Sequence, residues 1–222
     1  MKNRNEPEQN GENQKKWEFD EAIAKDFQKI ALTEIPHYKE VIRKCLQIWL
    51  KYYDKDAKIL DVWSALGFTL HAFNKAWFKN TYWVESSKSM IEQSYKETTL
   101  IHDDVFPKDY GKFDLIMANW TLHFIKEREA YLRDIFHWLS DGWMFILTEK
   151  VASSHKIHEL YHDFKRGNGL TEEHILKKQK ALEWVLVTHP VEWYLNLLRS
   201  IGFTSVDIID AHYSFVTMVA MK

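Results

Sequence analysis

The sequence predicts a single α/β domain with a doubly wound, mostly parallel sheet of seven strands and helices at its N-terminal end. Short apolar segments alternate with helical segments from residue 58 to residue 148, an order typical of parallel strands joined by crossover helices. A long helical stretch follows, and two β-rich runs end the chain a few residues apart. That separation is of hairpin length, so the last two strands are predicted to be antiparallel.

Ahead of the sheet, the chain has a polar segment and two helical patterns. Residues 1–16 are polar and mixed in charge, which predicts a disordered tail in front of one domain over residues 17–222. Helices are predicted over residues 19–32 and 38–53, on either side of Pro36. In the second pattern, apolar side chains recur at helical spacing, which indicates an amphipathic helix.

The seven strands are predicted from short apolar or β-rich runs, at residues 58–62, 81–84, 99–102, 113–119, 142–148, 205–209 and 213–221. Between them, helices are predicted at residues 69–78, 89–96 and 127–139. The helical stretch before the hairpin covers residues 155–199 and is interrupted near residues 167–169 and 189–190.

The composition excludes several classes of protein. A net charge of −2 gives no electrostatic reason to expect direct binding to nucleic acid. Cys45 is the single cysteine, which excludes a disulfide framework or a thiolate cluster and favours the cytoplasm. No run approaches the roughly 20 apolar residues that a membrane-spanning helix needs, so no membrane association is predicted.

Polar side chains follow the predicted parallel strands, at the sheet edge where such folds bind ligands. Asp61 lies at the end of the first strand, and Glu85, at the end of the second, is placed to accept hydrogen bonds from ribose hydroxyls. Asp104, after the third strand, is a candidate acceptor for an adenine amino group, and Asn119 ends the fourth. We predict a nucleoside site, although a carboxylate at a strand end is also commonly a helix cap.

The loop after the first strand is poor in glycine. Gly67 is its single glycine, and Trp63 stands where a phosphate-binding turn would have its first. A dinucleotide dehydrogenase is therefore not expected. A ligand without a pyrophosphate, such as S-adenosylmethionine, has less need of a glycine-rich loop.

Two clusters of basic or metal-ligating residues allow two interpretations each. His155, His158 and His162 fall on one helix face with a carboxylate close by, which suits either a metal site or a polar helix face. We predict the polar face and no metal. The basic run over residues 177–180 is either a solvated helix face or an anion-binding site, and the solvated face is predicted.

Five segments resemble one family. They are FDE at residues 19–21, IPHY at 35–38, NWTLHF at 119–124, HDFKRGNG at 162–169 and LEWVL at 182–186. They resemble the carboxy-S-adenosylmethionine synthases, and the resemblance runs from about Phe19 to the end of the chain. The resemblance implies the Rossmann-like class I methyltransferase fold and a homodimer. It also implies conversion of S-adenosylmethionine and prephenate into carboxy-S-adenosylmethionine and phenylpyruvate, for modification of the wobble uridine in transfer RNA.

The resemblance also implies which residues contact the cofactor, whether S-adenosylmethionine or its carboxylated form. They are Tyr38, Asp61, Trp63, Ser64, Ala65, Glu85, Ser86, Asp104, Val105, Asn119 and Gln179. The sequence identifies no catalytic residue, and methyl transfer from a sulfonium needs mainly alignment of donor and acceptor. An ordinary S-adenosylmethionine-dependent methyltransferase of unknown acceptor, or a relative without catalytic activity, remain the alternatives.

Three of these positions depart from the family pattern. Glu85 replaces an aspartate, Trp63 replaces the loop glycine, and Gln179 replaces the arginine that binds the extra carboxylate. A left-handed backbone at Trp63 would cost roughly 1–2 kcal/mol, and the neutral amide of Gln179 cannot form a charge-assisted, forked contact. We therefore expect weak binding of S-adenosylmethionine and little preference for its carboxylated form.

Overall fold

The computed structural model describes residues 20–96, 98–103 and 105–222. The predicted tail over residues 1–16 and the predicted site residue Asp104 lie outside the described residues. Among the helices that are described, none is both long and apolar enough to cross a membrane.

The sheet has the predicted seven strands: β1 Ile59–Val62, β2 Thr81–Glu85, β3 Thr99–His102, β4 Phe113–Asn119, β5 Leu139–Lys150, β6 Ser205–His212 and β7 Phe215–Met221. Their order across the sheet is β3-β2-β1-β4-β5-β7-β6. The strands β1 to β5 pair in parallel, whereas β7 runs antiparallel to both β5 and β6. The predicted fold class is therefore confirmed, including its C-terminal hairpin.

Eight α-helices accompany the described strands: α1 Glu21–Glu34, α2 Tyr38–Tyr52, α3 Phe68–Lys75, α4 Lys88–Gln93, α5 Arg128–Trp138, α6 His155–Gly167, α7 Glu172–Leu182 and α8 Val191–Ile201. Asp20 caps α1, since its side chain accepts a hydrogen bond from the backbone N–H of Ile23 at 3.1 Å. The chain turns sharply between α1 and α2, where Pro36 lacks an N–H and His37 has a left-handed φ of 56°.

Helices cover both faces of the sheet, which is why its inner strands β1, β4 and β7 are almost continuously buried. On one face, Leu60 and Ile116 pack with side chains of α5 and α8, including Leu132 and Leu198. On the other face, neighbouring strand residues such as Ile59 pack with α2 and α3, including the fully buried Trp49, Leu70 and Phe73. The alternation of side chains along each strand thus separates two hydrophobic layers.

The boundaries of β5 differ from the prediction. The strand begins at Leu139, directly after α5, rather than at residue 142. Its register against β4 shifts between Phe113 and Leu115, and Gly142 there has a φ of 79°. The irregular pairing hides the first residues of the strand from the apolar pattern, because a bulge interrupts the alternation.

Candidate functional site

A cavity of about 640 Å³ lies at the carboxyl ends of β1, β4 and β5. Helices α1, α6 and α7 form its opposite wall, so that strand ends and helix side chains face the same space. This is the edge at which open parallel sheets bind ligands, and the volume is that of a small-molecule site.

Seven of the predicted site residues line this cavity: Tyr38, Asp61, Trp63, Ser64, Ala65, Asn119 and Gln179. Glu85 and Ser86 do not; they line a separate small pocket behind Trp63. Val105 is 56% exposed and lines neither, and Asp104 is outside the described residues. The structure thus places most of the predicted residues in one cavity and Glu85 and Ser86 in another pocket, and Trp63 lines both.

The loop after β1 is bent by left-handed residues. Trp63 has a φ of 53°, Ala65 of 52° and Gly67 of 74°. Glycine accommodates this conformation, whereas each of the other two residues costs roughly 1–2 kcal/mol. Trp63 thus does adopt the costly left-handed backbone, and hydrogen bonds of Trp63 N–H to the carbonyl oxygen of Val84 and of Gly67 N–H to that of Ser64 hold the loop in this shape.

Asp61 is the buried carboxyl group at the end of β1, with 1% of its surface exposed. Ser64 Oγ donates a hydrogen bond to its Oδ2 at 2.5 Å. Burial raises the pKa of Asp61 to about 7, although hydrogen bonds from the hydroxyls of Ser64 and Thr69 oppose the shift. A positively charged ligand group in the cavity would therefore stabilise the ionised form of this carboxyl.

Glu85 ties two loops together. Its Oε2 accepts a hydrogen bond from Ala65 N–H at 3.1 Å, and its Oε1 accepts one from Ser87 N–H at 2.8 Å. Burial raises the pKa of Glu85 to about 7, while hydrogen bonds from the backbone amides oppose the shift. The carboxylate that was predicted to bind a ribose thus bonds to the protein backbone.

The pocket beside Glu85 has a volume of about 40 Å³, which is space for roughly one water molecule. The rings of Trp63, Trp120 and Phe124 line it together with Ala65 and Ser86. The acidic and polar groups at this end suit a nucleoside, but the space does not. A nucleoside can reach Glu85 only if the rings that line this pocket, that of Trp63 among them, move.

An aromatic wall separates this pocket from the larger cavity. The rings of Tyr38 and Trp120 lie with their centroids 4.6 Å apart, and Tyr38 is 8% exposed. Within the described part of the chain, the indole nitrogens of Trp63 and Trp120 are buried without a hydrogen-bond partner. A buried N–H without an acceptor costs free energy, so this closed arrangement of the two indole rings is less stable than one in which both donors are satisfied.

The opposite end of the cavity is positively charged. Lys150, Lys165 and Lys178 line it, together with the carboxylate of Glu34. Burial lowers the pKa of Lys150 and of Lys165 to about 8. We call these three lysines the lysine cluster. The helix face over residues 177–180, predicted to be solvated, therefore contributes Lys178 to the cavity.

Two histidines of α6 line the same end. His158 and His162 lie with Glu159 in an arrangement whose ligand atoms are within 4.8 Å of one another. Burial is the first cause that lowers the pKa of His158, and the charges of Lys150 and Lys165 add to it. Because those lysines would also repel a metal cation, an anion suits this region better. The expectation that the protein binds no metal remains a prediction.

A buried hydrogen-bond network supports the segment NWTLHF, which forms part of the cavity wall. The fully buried Glu149 accepts hydrogen bonds from Leu122 N–H at 2.9 Å and from Tyr194 OH at 3.0 Å, and lies 3.1 Å from His123 Nδ1. Arg128 donates to Tyr194 OH at 2.8 Å. The network joins β5, α5 and α8 behind His123, which faces the cavity.

Several residues of the site were not predicted. Lys165 lies inside the segment HDFKRGNG and Lys150 ends β5, so both could have been suspected as ligands from their positions. Glu34 carries no comparable signal, because an acid near the end of an amphipathic helix is usually exposed. Its placement depends on how α1 packs against α6 and α7.

Residues 35–189 match a protein family described as a methyltransferase domain. The chain is 32% identical to a carboxy-S-adenosyl-L-methionine synthase of Helicobacter hepaticus, over 94% of this chain and 95% of that protein. It is 26% identical to the synthase of the same name from Nautilia profundicola, over 94% and 96%.

Solved structures share the fold. The magnesium protoporphyrin IX methyltransferase of Synechocystis, determined with bound SAH, has a TM-score of 0.66 at 12% identity. The alignment covers 92% of this chain and 95% of that one.

Proposed function

This chain belongs to the carboxy-S-adenosyl-L-methionine synthase family, and on that premise we propose that it is a transferase with S-adenosyl-L-methionine as its cofactor. Its reaction converts S-adenosyl-L-methionine and prephenate into carboxy-S-adenosyl-L-methionine, phenylpyruvate and water, and the carboxylated product serves modification of transfer RNA. The enzyme acts in the cytoplasm on small molecules and does not itself bind nucleic acid.

One observation carries the proposal: a single cavity joins seven of the predicted cofactor residues to the lysine cluster. Tyr38, Asp61 and Asn119 at one side offer polar and aromatic groups to a sulfonium amino acid. The lysines at the other side attract carboxylates, because charge-assisted contacts with anions are roughly twice as strong as neutral ones. The sulfonium amino-acid part of a cofactor and an organic anion would therefore meet in this cavity.

The proposed assembly is a homodimer. Apolar side chains of α6, α7 and the segment after α7 are exposed, namely Trp184 at 89%, Leu176 at 51%, Val187 at 48% and Leu160 at 47%. Exposed large apolar side chains on these consecutive elements support a protein–protein interface there. Sedimentation analysis tests it: the protein should sediment as a dimer, and Trp184→Asp should shift it towards the monomer.

Gln179 favours a second candidate function, methyl transfer to another acceptor. It lines the cavity where the family has an arginine, and an amide cannot form the forked, charge-assisted contact with a carboxylate. The chain would then use the same cofactor without producing a carboxylated form.

Incubation of the purified protein with S-adenosyl-L-methionine and prephenate, followed by mass spectrometry, tests the proposal. We expect carboxy-S-adenosyl-L-methionine and phenylpyruvate to accumulate together, and neither to form when prephenate is left out. Cofactor binding without a carboxylated product would favour the second candidate. Absence of any cofactor binding would contradict both and indicate a relative without catalytic activity.

A further inference from the structure

Glu34 is a buried carboxylate in an unfavourable place. It is the last residue of α1, and 4% of its surface is exposed. A negative charge at the C-terminal end of a helix is disfavoured by the helix dipole, and burial of a charge is costly unless it is paired. The surroundings of Glu34 must therefore supply compensating positive charge.

The lysine cluster supplies that charge. Glu34 Oε2 lies 2.8 Å from Lys178 Nζ and 3.8 Å from Lys165 Nζ, and Oε1 lies 3.5 Å from His174 Nε2. Two of the three lysines are thus paired with a carboxylate of the protein itself. Lys150 is different: within the described ranges it has no carboxylate oxygen within 4.0 Å, and its Nζ lies 4.9 Å from the Tyr161 ring centroid.

The backbone at Glu34 is held in position by α6. Tyr161 OH donates a hydrogen bond to the carbonyl oxygen of Glu34 at 2.9 Å, and Asn168 Nδ2 donates one to that of Thr33 at 3.0 Å. These bonds fix the backbone that carries the carboxylate, and the ion pairs with Lys178 and Lys165 orient its side chain. Any ligand that binds at this end of the cavity therefore binds next to the Glu34 carboxylate.

We propose that Glu34 acts as an internal competitor for ligand carboxylates at the lysine cluster, and so determines how many carboxylates a ligand can place there. A first ligand carboxylate pairs with Lys150. A second meets Lys165 and Lys178 already paired with Glu34. Gln179 beside them is uncharged, and Lys180, which also lines the cavity, is exposed to solvent, where an ion pair contributes little. The inference rests on the proposed function in one respect, namely that organic carboxylates enter this cavity.

Removal of the charge from Glu34 should release Lys178 for the ligand. With malonate as a dicarboxylate probe, calorimetry on Glu34→Gln should show affinity about tenfold higher than wild type, as expected for a gained charge-assisted contact. Asp26→Asn, which makes the same change on the exposed face of α1, is the matched control and should equal wild type. Equal malonate affinity in Glu34→Gln and wild type would overturn the proposal.

A second measurement needs no variant, in case Glu34→Gln fails to fold. Wild type should bind acetate and malonate with affinities within about threefold, because Glu34 already occupies the place of the second carboxylate. A tenfold or greater preference of wild type for malonate would overturn the proposal. Neither result depends on the nucleoside: failure to bind S-adenosyl-L-methionine would count against the proposed function alone, and the two anions would still decide the role of Glu34.

Discussion

The two ends of the cavity region solve the problem of buried charge in opposite ways. At the Glu85 end, backbone amides satisfy the carboxylate, and the rings of Trp63 and Trp120 leave about 40 Å³. At the lysine end of the cavity of about 640 Å³, the positively charged side chains outnumber the negatively charged ones. Ligand binding at the first end therefore requires movement of side chains, whereas at the second it requires only compensation of charge.

Substitution of Glu85 is the test with the largest expected effect. Glu85→Ala should lower affinity for S-adenosyl-L-methionine by about 10- to 100-fold, since a buried hydrogen-bonded pair with a ribose diol contributes about 1–3 kcal/mol. Calorimetry measures it, and Glu92→Ala on the exposed face of α4 is the control. Unchanged affinity would mean that the closed end is not part of the cofactor site.

Removal of the Trp63 ring from the small pocket beside Glu85 should raise the affinity for the cofactor, by less than Glu85→Ala lowers it. Trp63→Gly should raise affinity for S-adenosyl-L-methionine and for its carboxylated form by about tenfold each, because glycine accepts the left-handed backbone and clears the ring. Trp77→Gly is a matched control: its φ is 77° and its side chain is 70% exposed. That control should change stability without changing affinity. Higher affinity for only one of the two ligands would contradict the view that the Glu85 end binds the part of the cofactor that both ligands share.

A cation added at the lysine end should act selectively. Gln179→Arg should raise affinity for the carboxylated cofactor by about fivefold to tenfold and leave that for S-adenosyl-L-methionine unchanged, since only the extra carboxylate meets the guanidinium. Competition titration of the two ligands measures the ratio. The same change at Gln47, exposed on α2, is the control. Tight, selective binding of the carboxylated form by wild type would instead show that another cation replaces the arginine.

Titration of Asp61 tests the stability of the fold and not the affinity for a ligand. Its pKa is raised to about 7 from an ordinary value of 3.8, so the folded state holds the proton more tightly than the unfolded state. The stabilisation is present in acid and is lost as the pH rises towards 7, by less than about 1.4 kcal/mol per pH unit. Chemical unfolding between pH 4 and 7 should show a flatter profile for Asp61→Asn. Asp54→Asn, an exposed site, should keep the wild-type profile.

The fold and one side of the site follow from local patterns. Apolar runs such as that at Ile59–Val62 locate the strands, and the strand ends then place Asp61 and Asn119 at one edge. The lysine end does not follow in this way. Glu34 and Lys178 lie far apart in sequence and meet only because α1 packs beside α6 and α7. Likewise, no local rule shows that Glu85 would bond to Ala65 N–H instead of facing open space.

The backbone N–H groups of Leu122 and Ala65 both bond to buried carboxylates, yet their rates of hydrogen exchange with solvent should differ widely. Leu122 N–H bonds to Glu149, at the centre of a network that spans β5, α5 and α8. Its deuterium exchange should require global unfolding, because nothing smaller exposes that network. Ala65 N–H bonds to Glu85 beside the loop that must move for a nucleoside to enter. Its exchange should occur through local opening, and cofactor binding should slow it while leaving the rate at Leu122 as it was.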